Sequence, residues 1–171
     1  MYAGVSASSS AVYLAAMADR IEAHLFAEVA QLVRTMVPDG VGEVRTRSHR
    51  RGVKVWFGPS KPTREHYEAQ IMPGRFADLD HAVLEVGFHA EHPDEAANQT
   101  VADRLEARAK LWRKELGKPA ELDTFYGRDS WRRLSEIWPD VDELDEDPDA
   151  AFEIACRLID YISVIEPLRV T

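Results

Sequence analysis

Apolar residues recur at three- and four-residue steps between Ala11 and Met36, at Leu14, Ile21, Leu25, Val29, Leu32 and Met36. That spacing lines one face of an α-helix. Ser8, Ser9 and Ser10 offer N-cap oxygens ahead of it, and Val37-Pro38-Asp39-Gly40 is a stop signal. Ser6 to Ser10 is small and polar, and residues 1–9 are expected to be flexible.

The period then falls to two. Val44, Thr46 and Ser48 alternate with Arg45, Arg47 and His49; after the turn at Arg51-Gly52, Val53, Val55 and Phe57 alternate with Lys54 and Trp56. Tyr67, Ala69 and Ile71 alternate with His66, Glu68 and Gln70, and Leu84, Val86, Phe88 and Ala90 with Glu85, Gly87 and His89. Four strands joined by short loops predict an antiparallel meander with one buried face. Helical period returns after His92-Pro93, with Ala97, Val101, Leu105, Ala109, Trp112 and Leu116 as one buried stripe and Gly117 as its stop.

The remainder reads as a short strand at Leu122 to Tyr126, a short helix around Ser130 to Trp138, and an acidic loop over 140–149. A final helix follows, with Phe152, Ala155, Leu158, Ile159, Ile162 and Ile165 facing inward, ending near Pro167. The expected fold is therefore α+β: an N-terminal helix, a four-stranded meander, a long helix, a short strand and two C-terminal helices. The helices pack on one face of the sheet. The 171 residues suit a single domain.

Composition bounds the function. No apolar run reaches the roughly 20 residues that cross a bilayer, and the first residues lack a secretory pattern, so a cytoplasmic location is expected. The lone cysteine, Cys156, excludes an intramolecular disulfide and a cysteine-based zinc site; it reads as a small core residue. The net charge is −9, yet residues 41–75 hold eight Lys/Arg against three Glu. An acidic body with a basic patch can still grip phosphates locally.

Alternation places Arg45, Arg47, His49, Lys54, Trp56, His66, Glu68, Gln70, Glu85 and His89 on the face opposite Val44, Val53, Val55, Phe57, Tyr67, Ile71, Leu84, Val86 and Phe88. Solvated cross-strand ion pairs account for such a face without any function. The types present also bind anions, stack on rings or move protons. Arg45, Arg47, Arg51 and Lys54 supply cations and Trp56 a stacking or anchoring ring, with His66, Gln70 and His89 beside them. The expected role is non-enzymatic recognition of an anionic ligand or nucleic acid. The alternatives are a homodimer through the same face, or a metal-dependent hydrolase using Glu68 and Glu85 as a carboxylate pair.

Glu68-x-Gln70 resembles one variant of the metal-nuclease strand, but without the lysine usual at its last position or a clearly placed upstream Asp. No metal site is expected from His89, Glu91 and His92, because alternation turns His92 away from the other two. His81 shares the parity of His89 but lies roughly 25 Å away along an extended strand. No cofactor motif is present.

Val83-Leu84-Glu85-Val86-Gly87-Phe88, the charged helix closing on Glu115-Leu116-Gly117-Lys118, then Trp131-Arg132-Arg133-Leu134 and Trp138-Pro139 resemble an uncharacterised bacterial domain family. The resemblance covers about residues 83–166, and some members stand behind restriction-endonuclease-like modules. It implies an accessory or recognition domain tied to nucleic-acid processing or defence. No nuclease module is recognisable ahead of it here, so no catalytic role is implied.

Overall fold

A computed structural model describes residues 24–141, 144 and 146–169. It is α+β, with four helices and one six-stranded antiparallel sheet. Helix α1 covers 24–36. Strands β1 (Val44–His49), β2 (Gly52–Phe57), β3 (Glu65–Pro73) and β4 (Ala82–Ala90) follow, with a 3-10 turn at Gly74–Ala77. Helices α2 (Glu95–Glu106) and α3 (Ala109–Leu116) precede β5 (Glu121–Phe125), β6 (Arg128–Trp138) and α4 (Ala150–Arg169). The strand order is β1-β2-β3-β4-β6-β5: the α+β class is as expected, but the sheet has six strands rather than a four-stranded meander, the β5–β6 hairpin adding β6 beside β4.

Strand β6 corrects the expected helix over Ser130 to Trp138. Trp131, Leu134 and Trp138 fall at three- and four-residue steps, which suits a helix. The stretch does not alternate cleanly, so pairing decides the outcome. Leu84↔Trp138 through Ala90↔Arg132 bond it to β4, and β5 bonds its other edge. A segment flanked by two strands satisfies its backbone groups laterally, which outweighs local propensity.

The long stripe after Pro93 is likewise two helices. Asp94 caps α2 by accepting from the Ala96 N–H at 3.0 Å, and the chain breaks at Ala107 and Arg108. Trp112 locks the break, its indole N–H donating to Leu105 O at 2.9 Å. Gly117 ends α3 with φ of 82°, a left-handed value that favours glycine.

All four helices contribute to one apolar cluster against the sheet. Val53, Val55, Tyr67, Ile71, Leu84, Val86, Phe88 and Leu134 meet Ile154, Leu158, Ile162 and Ile165 of α4. In α1 the buried residues are Phe26, Val29, Ala30 and Val33, one step round from the expected stripe, and Leu25, Leu32 and Met36 flank them. Leu14 and Ile21 lie outside the described residues. Phe152 is a correction: it is 53 % exposed, on the solvent side of α4. Cys156 is half-buried, and α4 runs two residues past Pro167. None of the described helices is long and apolar enough to cross a membrane.

Candidate metal centre

Register puts the expected polar residues in rows across the face turned away from the helices. Arg45↔Trp56, Arg47↔Lys54, Lys54↔Glu68, His66↔His89, Gln70↔Glu85 and His89↔Arg133 all pair directly. The face is not a bare solvated surface. His66, His89, Glu68 and Glu85 are buried, and β5 and β6 contribute Phe125, whose ring meets His89 edge-on at 4.9 Å. Phe125 also contacts Tyr126 and Trp131, and Tyr126 reaches Phe76 beside the β3–β4 turn at 5.8 Å. The β5–β6 hairpin thus folds aromatic side chains over one side of the polar face.

Under that cover, His66, Glu68, His89 and Glu91 bring one potential ligand atom each to within 4.8 Å of one another. His66 Nε2 lies 3.4 Å from Glu68 Oε2 and 3.5 Å from Glu91 Oε1. His89 Nδ1 lies 3.5 Å from the same Glu68 oxygen and 3.7 Å from the same Glu91 oxygen. These gaps exceed the 2.7–3.2 Å of an N–H···O bond. Neither imidazole nitrogen has a hydrogen-bond partner, although both rings are essentially inaccessible.

The other nitrogen of each ring makes an ordinary hydrogen bond. His66 Nδ1–H donates to the Thr63 carbonyl at 3.0 Å. His89 Nε2–H donates to Glu85 Oε1 at 2.8 Å, and Glu85 is held in turn by Gln70 Nε2 at 3.3 Å. Acceptors behind the rings therefore fix both tautomers, and the two free nitrogens approach the same two carboxylate oxygens. Asn98 braces the segment that carries Glu91. Its side chain takes the His92 N–H at 2.8 Å and donates to the His92 and Ser130 carbonyls, clamping the chain just after Glu91.

The electrostatics match a compact charged centre. Burial pushes the Glu68 carboxyl up, but the nearby His49, His66 and His89 imidazoles and the His89 charge hold it well below the ordinary range. Glu91 is held down in the same way against its burial, by His66, His89 and the nearby Lys54 charge. Burial pulls His89 down, yet Glu85, Glu68 and Glu91 raise it well above an ordinary histidine. Lys54 Nζ stands 3.3 Å from Glu68 Oε2 and 3.7 Å from Glu91 Oε2.

The expected recognition residues divide. Lys54, His66, Gln70 and His89 converge on this cluster. Arg45 pairs with Glu43 at 2.8 Å, and the Arg51 Nε–H donates to Ile71 O at 3.4 Å. Arg47 lies over the Trp56 ring at 5.9 Å. Trp56 corrects the expectation of an open stacking platform: it is 3 % exposed and its indole N–H donates to Pro59 O. Glu68 and Glu85 do not form a pair. Glu68 faces the centre, while Glu85 stands behind His89.

Two residues at the cluster stand outside the expected binding set. Glu91, one residue past β4, is on the face shared with His89, as alternation places it, and joins His66 and Glu68 only through the β3–β4 register. Arg133 was placed in a helix; it lies opposite His89, buried, with its guanidinium 4.1 Å from the Tyr126 ring and Nη1 donating to Ser135 Oγ. Burial pushes the Tyr126 phenol up to about 12, against the pull of that guanidinium. No protein-family model, curated protein or solved structure matches the chain.

Proposed function

We propose that this is a metal-binding protein whose ion is held by His66 Nε2, Glu68, His89 Nδ1 and Glu91. One observation carries the reading: two buried, unpaired imidazole nitrogens face two carboxylate oxygens at 3.4–3.7 Å. Those gaps are too long for hydrogen bonds but suit the four nitrogen–oxygen edges of a distorted coordination tetrahedron, whose four atoms all lie within 4.8 Å of one another. Dividing an edge by the tetrahedral ratio gives metal–ligand bonds of about 2.1–2.3 Å, close to zinc–nitrogen and zinc–oxygen bonds. Elsewhere in the protein His–carboxylate contacts close normally, as in His92 Nε2–Glu65 at 3.0 Å. The wide spacing belongs to this cluster.

The donor set narrows the ion. Two imidazoles and two carboxylates suit a divalent first-row ion such as zinc, iron or manganese, and lack the thiolates typical of purely structural zinc. The apolar core is already extensive without a metal, which favours a chemical role over a folding staple. Calorimetry with zinc is the test. One ion per chain and a raised melting temperature are expected, with both effects abolished in His66→Ala and Glu91→Gln variants that keep their circular dichroism. Absence of binding by zinc, manganese and ferrous iron alike would leave a buried ion-pair cluster and no metal function.

A further inference from the structure

Accessibility rises from the buried cluster towards the β1–β2 edge. His89 and His66 are closed off at 0 % and 1 %, and the Glu68 and Glu91 side chains are at 7 % and 16 %. The Lys54 side chain is at 23 % and that of His49 at 51 %, with Arg47 exposed beyond them. Solvent therefore reaches the centre from the β1–β2 edge. Along that edge Glu68, Lys54 and Arg47 stand in one cross-strand row, and His49 Nε2 approaches Glu68 at 3.9 Å. The route to the cluster is lined by nitrogen cations or potential cations, on a molecule whose net charge is −9.

Glu68 and Glu91 together balance the charge of a divalent ion, so the Lys54 ammonium beside them gives the loaded site an excess positive charge. Resting on the metal reading above, we propose that the bound ion takes a small oxyanion, a carboxylate or a phosphate, as an additional ligand. Lys54 grips its free oxygen, and His49 and Arg47 draw it in. Zinc and its congeners expand readily from four to five ligands, so the four protein donors leave room for it. The anion offsets that excess charge. Lys54 thus acts as a specificity residue of the site, and the basic β1–β2 hairpin becomes its electrostatic funnel.

The test uses the full chain loaded with cobalt(II), whose visible spectrum reports its ligands. Acetate and inorganic phosphate are titrated separately, so that the stronger perturbation tells which oxyanion the site prefers. A saturable spectral change is expected for at least one. Its apparent affinity should weaken about tenfold in Lys54→Met, the loss of one charge-assisted hydrogen bond, and recover in Lys54→Arg. Cobalt bound without any anion response, or a response unchanged in Lys54→Met, overturns the oxyanion site while the metal site stands. Failure to take up cobalt overturns both.

Discussion

His66 and His89 face each other across the β3–β4 ladder with ring centroids 5.6 Å apart and planes at 74°, each tied through one nitrogen and unpaired at the other. Thr63 holds one ring and Glu85 the other. Pre-orientation of this kind distinguishes a ligand pair from two histidines that share a surface.

Glu85 should matter to the metal without touching it. Glu85→Ala removes the acceptor that keeps the His89 proton on Nε2, so Nδ1 is no longer fixed as the free lone pair. Zinc affinity is expected to fall about 10- to 100-fold in calorimetry, at a temperature where circular dichroism shows the variant folded, since loss of this buried acceptor also lowers stability. Unchanged affinity would show that Glu85 is only a buried counter-charge.

Gly87 sits opposite both Glu68 and Ser135 where β4 and β6 approach closely. A Cβ there would lie 2.3 Å from Ser135 Cβ and 2.4 Å from the Leu134 carbonyl. Gly87→Ala should cost roughly 1–3 kcal/mol by overpacking, read as a lowered denaturation midpoint. A variant as stable as the wild type would mean that β6 can shift away freely.

Asn98 makes three hydrogen bonds that fix the turn after Glu91, and it is fully buried. Asn98→Ala should lower stability by roughly 2–4 kcal/mol and weaken metal binding as well, because Glu91 loses its brace. Loss of stability with intact metal affinity would uncouple the turn from the site.

Glu65 lies on the helix side, accepting from Arg169 Nε at 2.9 Å and His92 Nε2 at 3.0 Å. Burial pushes its carboxyl up, but the His92 hydrogen bond and the Arg169 charge leave it below its ordinary value of 4.5. A carboxyl depressed in the folded state stabilises above its unfolded pKa and loses that contribution as pH falls through the folded one. The stability advantage of wild type over Glu65→Gln, measured by denaturant melts, should be full at neutral pH and shrink progressively from about pH 4.5 downwards. An advantage that does not change with pH would contradict the ion pair.

Much of this was legible in the sequence. Alternation alone put His66, Glu68, Gln70, Glu85 and His89 on one face, because side-chain period in a strand is fixed at two. It could not give register, and register is what sets His66 beside His89 and Lys54 beside Glu68. The search for metal ligands along the single run His89 to His92 therefore set aside a site built across two strands. Strand β6 was hidden because Trp131, Leu134 and Trp138 also satisfy helical spacing. With it went Arg133 and the hairpin that seats Phe125 on His89, and so the partial cover over the polar face.

X-ray absorption at the zinc edge of the zinc-loaded protein tests the central claim most directly. The expected first shell holds two imidazole nitrogens and carboxylate oxygen at about 2.0–2.2 Å, with the imidazole signature lost in the His66→Ala, His89→Ala double variant. A shell of water oxygens alone, or an imidazole signal that survives the double variant, would contradict a metal centre between β3 and β4.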